Sequence, residues 1–422
     1  MNAAPLRQRN FALLWFAGLI SISGNWMLRI ALPIVVLEMT GSVVAISGVV
    51  VASVAPTLLF GLVAGVFVDR WDRRWVMVVA SLLQGVLLLP LIAVGSADRL
   101  WIIYVVAFLQ STLAQFFEPA ESALLPKVVP VEQLPAANSL NALNNNLGRL
   151  AGPVLGGLGT AYLGLAGVAV ADAVTFFAAA GLVFLVRGSY KAVGAEHERA
   201  GVRAELTEGL RTIARSRIVF ALVLCFSISW IGEGVMGTLF TPFVTGPLGG
   251  GAKELGWLMS AQAVGGIAGG ILGARYAGRF DPRRLVITCM VLFGLIDVVI
   301  FNYPRVSTAI VPELLMFALV GIPGVFGGAA VMTIVQTAVP DARIGRVFSV
   351  VFVASATAQL IGAGIASALV EWFGVMTVLT LQGLGYVVGG LSFAVISASS
   401  RASSPSRSAP DLGPRSVADQ AR

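Results

Sequence analysis

The chain has 422 residues, 57% of them apolar and 12% charged, with a net charge of +7 and a mean hydropathy of +0.89. Soluble domains carry about 25% charged residues, so the polar residues here cannot cover a water-facing surface, and the spare apolar surface must face lipid. Two cysteines in apolar runs, Cys225 and Cys289, and one histidine, His197, suggest neither a disulfide framework nor a metal cluster, and the Lys and Arg residues between apolar segments argue against a nucleic-acid partner.

A membrane-crossing helix needs roughly 20 apolar residues. Twelve such segments are predicted, at 11–37, 42–68, 75–95, 101–125, 138–163, 166–186, 218–245, 254–277, 284–303, 307–331, 346–370 and 375–397. Charge or turn residues mark their ends, as at Asp69–Arg74, Ser96–Arg99 and Phe280–Arg284. The first segment has no small-residue cleavage site and contains Arg29, so it reads as a mature helix and not a signal peptide. With the N-terminus inside, most of the 28 Lys and Arg residues fall on inner loops and termini. That asymmetry predicts both termini in the cytoplasm. The longest inner loop, Arg187–Arg217, divides the spans six and six. Leu206, Leu210 and Ile213 share one helix face in it, which predicts an amphipathic helix at the inner surface. The expected fold is an all-α membrane protein of twelve transmembrane helices. Residues 1–186 and 218–398 form two pseudo-symmetric six-helix bundles, 187–217 a cytoplasmic linker, and 399–422 a disordered Ser/Pro/Arg-rich tail.

A shift of 210 positions superposes Arg73–Arg74 on Arg283–Arg284, Pro130 on Pro340, Ser139 on Ser349 and Gly152 on Gly362. More loosely, Gly24–Asn25 with Pro33 matches Gly232–Glu233 with Pro242. Two parallel six-helix repeats are a transporter architecture, with substrate held near the midplane between the halves.

Gly65-Val-Phe-Val-Asp69-Arg70-Trp-Asp72-Arg73-Arg74 resembles the loop motif between helices two and three of the major facilitator superfamily. The resemblance extends over essentially the whole chain. It implies that Gly65 admits a neighbouring helix and that Asp69 faces a positive helix N-terminus. It further implies that Asp69, Arg70, Arg73 and Arg74 help latch the cytoplasmic ends of the halves in the outward-facing state. Asp69 would meet the start of helix eleven near Gly345–Ser349. The other reading is that the arginines only set topology. The second-half copy keeps Arg283 and Arg284 but has Arg279 where Asp69 would fall, so the latch is expected on one side only. Gly148-Arg149-Leu-Ala-Gly152-Pro153-Val-Leu-Gly156-Gly157 resembles the helix-five element of the superfamily's antiporters, notably drug–proton exporters. Gly148, Gly152 and Gly156 form one small-residue stripe, and Gly265, Gly269 and Gly273 form another on helix eight. In the family, helices five and eight meet between the halves. Close packing and a role in coupling both remain open for the stripe. Pro153 removes one backbone hydrogen bond and allows a bend. Further stretches, among them Ser23-Gly24-Asn25-Trp26 and Phe117-Glu118-Pro119-Ala120, resemble the bacterial branch that contains enterobactin and macrolide exporters. That branch often carries an acid where Asn25 stands, and asparagine cannot carry a proton.

An ionisable residue at membrane depth costs about 2.5–3.5 kcal/mol and needs a partner or a polar cavity. Glu233, between Gly232 and Gly234, falls near the middle of helix seven, and Arg149 near the middle of helix five. Arg29 lies one turn from Asn25. Asp172 and Asp297 fall nearer the outer face, and Glu118 and Glu121 nearer the inner. Glu233 is the candidate proton carrier, because a carboxyl group that alternates between solvated and desolvated surroundings can load and release a proton. Arg29 or Arg149 is its competing cation. The alternative is a permanent structural ion pair. Asp172 admits either role, Arg149 suits packing or inter-helix hydrogen bonding, and Asp297 reads as interfacial. Trp26, Trp230, Met236 and Phe240, with Trp15, Met27 and Phe226, fall on helices one and seven, which line the pathway in this family. Packing or lipid contact is the alternative for each.

The expected function is secondary active transport: a proton-coupled antiporter exporting amphiphilic small molecules or drugs by alternating access across the bacterial inner membrane. Other readings are a dedicated metabolite exporter such as one for a siderophore, a nutrient symporter, or a non-transporting scaffold. No Gly-x-x-x-x-Gly-Lys-Ser/Thr loop is present, which disfavours a nucleotide-driven pump, and neither a cofactor nor enzymatic chemistry is expected. The expected partners are a small amphiphilic substrate, protons and the lipid bilayer, with the chain acting as a monomer.

Overall fold

A computed structural model describes residues 4–68, 70–188, 190, 202–339 and 341–402. Its long helices are α1 (Arg9–Thr40), α2 (Val43–Val68), α3 (Arg73–Leu88), α4 (Leu100–Val128), α5 (Leu134–Phe184), α6 (Val202–Arg215), α7 (Arg217–Thr245), α8 (Ala252–Tyr276), α9 (Pro282–Asn302), α10 (Ile310–Ala338), α11 (Asp341–Phe373) and α12 (Val375–Ala402). Among the described residues, eleven helices are long and apolar enough to cross a membrane. One of them, α5, has 51 residues. At about 1.5 Å per residue it would be more than twice as long as the roughly 30 Å hydrocarbon layer is thick. It is broken at Gly164, whose φ of 64° and ψ of −173° are non-helical. Residues 134–163 and 165–184 are therefore two arms and two spans, which brings the total to twelve. Large apolar side chains such as Leu59, Ile271, Leu315 and Val395 remain exposed on the outside of the bundle, where lipid would cover them.

The two halves repeat in packing as well as in sequence. In the first, Gly152 of α5 abuts Trp26 and Ser23 of α1; in the second, Gly362 of α11 abuts Ile231 of α7. Gly85 of α3 meets Phe177 of the second α5 arm, as Gly294 of α9 meets Gly383 of α12. Asp72 caps α3 by accepting from the Arg74 amide at 3.0 Å, and Asp281 caps α9 by accepting from the Arg283 amide at 2.8 Å. Turns far from the termini also correspond. Gly41 and Gly249 are left-handed at φ 62° and 70°, and Gly164 and Gly374 at 64° and 75°. Only glycine adopts these values without strain.

Contacts between the halves run mainly through α5–α8 and α2–α11. The buried apolar clusters show where closure lies. Near the termini, one cluster draws only on the first half (Phe11, Met77, Leu124) and another only on α6–α12 (Ile213, Val286, Val347). At the far face, Ile30 and Ile34 of α1 are buried among Val235, Leu239, Phe243 and Phe317 of the second half. The apolar core is thus continuous between halves at the far face.

The linker helix α6 docks on α11. Gly209 sits against the Arg346 carbonyl and Val350, and Glu208 pairs with Arg346. Ile213 is buried as expected, but Leu210 is 56% exposed. The seated face runs through Gly209, Thr212 and Ile213, because the absent glycine side chain is what lets α6 approach α11. The side chain of Leu206 lies outside the described residues.

Candidate functional site

Glu233 is aimed by its neighbours. Gly232 lies against Tyr386 of α12 and Gly234 against the Gln359 carbonyl of α11, so the flanking positions hold the helix contacts. The Glu233 side chain is left to face the space between halves. There it meets Arg29 of α1 at 3.2 Å, with side-chain exposures of 45% and 53%. A half-exposed pair of this kind contributes on the order of 1 kcal/mol or less. Arg29, not Arg149, is thus the cation paired with Glu233. Trp26, one turn earlier on α1, carries both cations: the Arg29 guanidinium lies 4.8 Å and that of Arg149 5.5 Å from its ring centroid. Such contacts add about 0.5–1 kcal/mol each at exposed positions.

Glu233, Trp26 and Arg149 border a cavity of about 460 Å³. Small-molecule sites run to roughly 300–1,000 Å³, so the volume suits one small molecule. Its walls come from Trp26 of α1, Asn146 and Arg149 of α5, and mainly from α7–α10 and α12. Trp230, Met236 and Phe226 line it. Phe240 does not. It is buried against Phe317, with ring centroids 5.4 Å apart, in the far-face core. Trp15 and Met27 are also core residues; the Trp15 indole donates to the Leu140 carbonyl at 2.8 Å.

Asp297, read from sequence as interfacial, lines the same cavity as Glu233. Tyr386 joins them, its hydroxyl donating to the Ser229 carbonyl at 3.4 Å. Gln382, Gln262 and Asn146 complete the polar lining. Sequence reasoning missed this group. The one signal for Asp297 was Gly294, one turn before it, which draws α9 onto α12.

The remaining expected site residues lie elsewhere. Asn25 is exposed on α1, one turn from Arg29, and is not among the residues that line the cavity. Asp172 is fully buried against Gly24 and accepts from the Thr175 hydroxyl at 3.1 Å. It does not line the cavity either. The stripe of Gly148, Gly152 and Gly156 packs on Ile22, Trp26 and Met27 of α1 rather than on α8. Gly265, Gly269 and Gly273 likewise face α10. The contact between halves is made by the next residue, Gly157, with the Pro153 carbonyl, against Ala252 and Gly256 of α8. The Ser260 hydroxyl seals it, donating to the Leu150 carbonyl at 2.7 Å, as does Lys253, donating to the Tyr162 hydroxyl at 2.7 Å.

Of the loop motif, Asp69 lies outside the described residues, and the surroundings of Gly65 on α2 do too. Arg70 is exposed and Arg73 is buried at the start of α3. Arg74 donates to the Phe184 carbonyl and lies over the Phe184 and Trp75 rings, a contact within its own half. Asp72 also accepts from the Tyr190 amide at 2.9 Å, which ties the exit of the second α5 arm to α3.

Comparison with known proteins fits this geometry. The family model described as transmembrane secretion effector matches residues 1–417. The multidrug efflux pump Tap of Mycobacterium tuberculosis is 28% identical over 90% of this chain and 91% of its own. Macrolide efflux protein A of Streptococcus pyogenes is 23% identical over 88% and 92%. Among solved structures, a bacterial homologue of the iron transporter ferroportin in an inward-facing state superposes with a TM-score of 0.73 at 18% identity, covering 92% of this chain and 99% of that one. A POT family transporter superposes with a TM-score of 0.74 at 13% identity, covering 93% and 96%. At such identities these two likenesses speak for the fold alone. The chain is a multi-pass membrane transporter, not an enzyme, and belongs to the transmembrane secretion effector family of the major facilitator superfamily.

Proposed function

We propose that this protein exports amphiphilic small molecules from the cytoplasm in exchange for protons, with residues 1–186 and 218–398 rocking about the cavity between them. The observation that carries the reading is the Arg29–Glu233 pair, which joins the two halves beside a cavity lined by tryptophan and methionine. The names of the efflux relatives support the direction of transport. With both termini in the cytoplasm, the far face is the outside and the conformation described is inward-facing. Cargo entering from the cytoplasm fills the cavity beside the Arg29–Glu233 pair, and a pair this weak yields. The far face then opens. Glu233, separated from Arg29, takes a proton from outside and surrenders it when Arg29 pairs again. The loop from Gly65 to Arg74 latches the cytoplasmic ends in the opposite state.

The test uses everted vesicles loaded with an amphiphilic fluorescent cargo under an imposed pH gradient. Wild-type vesicles should take up cargo in proportion to the gradient and lose uptake with an uncoupler. Glu233→Gln should retain cargo binding but transport at a rate indifferent to the gradient. Unchanged gradient dependence in that variant would remove Glu233 from the proton route.

A further inference from the structure

We propose that the exported cargo carries an anionic group, a carboxylate by preference, and that Arg149 reads it. The inference rests on the export reading and adds the charge of the cargo.

The charges facing the cavity are unequal in their engagement. Glu233 is held by Arg29 at 3.2 Å. Asp297 is 5% exposed, on the opposite wall beside Tyr386. Arg149 is exposed to the cavity, and among the described residues its guanidinium makes no hydrogen bond or ion pair. Its one described contact is the Trp26 ring at 5.5 Å. A guanidinium at membrane depth without a counter-ion is costly, and a cargo anion would relieve that cost.

The surroundings of Arg149 are built to take such an anion. Asn146 lies one turn earlier on the same α5 face, and Gln262 faces the same cavity from α8. Neither side-chain amide is hydrogen-bonded to another described residue. The helices that carry the three groups are pinned together by the Ser260–Leu150 hydrogen bond and by the Gly157–Gly256 contact. A planar guanidinium fork, with two unengaged amides lining the same cavity, matches a carboxylate. Trp26 and Trp230 are left for the apolar body. A cationic cargo would face Arg149 and find one carboxylate already paired and the other nearly sealed.

The experiment compares a fluorescent amphiphile bearing a carboxylate with its methyl ester, in everted vesicles and on the purified protein by tryptophan fluorescence. Wild type should transport and bind the acid at least tenfold better than the ester. Arg149→Gln should erase that preference by bringing acid binding and transport down to the level of the ester. Arg149→Lys should retain part of it, because a lysine keeps the charge without the fork. Equal binding of acid and ester to wild type, or a preference that survives Arg149→Gln, overturns the proposal. If vesicles move neither probe, the export reading falls, and the binding comparison still decides the anion site. If Arg149→Gln does not fold, Asn146→Leu with Gln262→Leu takes its place and should weaken acid binding alone; an unchanged acid preference there also overturns the proposal.

Discussion

Replacing Gly157 by alanine presses a methyl group into the seam between α5 and α8. The added carbon would lie 2.3 Å from the Ala252 carbonyl oxygen, about 1 Å inside the 3.4 Å at which ordinary contact begins. That oxygen is backbone in the first turn of α8, so it moves only if α8 moves. Overpacking of this kind costs about 1–3 kcal/mol. On the proposed rocking motion, the cost falls on the state described, in which α5 and α8 are pressed together at the far face. At about 1.4 kcal/mol per factor of ten, the closed population should fall roughly five- to a hundredfold relative to the open one. Spin labels at positions 162 and 253, with Cys225 and Cys289 replaced by alanine, report the separation across the seam by pulsed dipolar spectroscopy. Wild type should give one short distance, and Gly157→Ala should move weight to a longer one. Gly181→Ala, where nothing lies within 4 Å, should leave the distribution unchanged. A folded Gly157→Ala protein whose distances overlay those of wild type would refute the seam as the point of closure.

Phe240→Ala should lower thermal stability, by the 3–5 kcal/mol typical of a buried phenylalanine, while leaving the ranking of cargoes intact. Trp230→Ala should do the reverse, altering that ranking in cell accumulation assays with little effect on the melting temperature. Gly209→Leu would place a carbon 2.5 Å from the Arg346 carbonyl and lift α6 from α11, read as faster hydrogen–deuterium exchange across α6. Glu208→Gln should raise that exchange far less, since an exposed pair contributes at most about 1 kcal/mol.

The spans were legible because length and apolarity alone decide them. Even the break between the fifth and sixth was visible at 163–166, where the chain passes from one helix to the next through Gly164 without a loop. Glu233 and Arg29 were legible as charges that needed partners, though sequence left Arg29 and Arg149 equally placed. What sequence could not supply was which neighbour a helix face meets. Glu233, Met236 and Phe240 lie on one stripe of α7, and periodicity groups them correctly. Phe240 sits a turn farther along, where the halves close, and so becomes core. The α5 glycines announce a close contact in the same way without saying that α1 is the partner. Asp297 was legible as a charge in a span but not as a cavity residue, for the converse reason. Its place at the cavity follows from the crossing of α9 and α12, which depends on Gly294 and Gly383 together.

The single glycines at 164 and 374 have a mechanical corollary. Each joins two full spans at the far face with no intervening loop, so neither helix of the pair can tilt without dragging its neighbour. The rim has no slack there. On the proposed rocking motion, the two helices of each pair would tip as one lever, carrying displacement from the cavity along both at once.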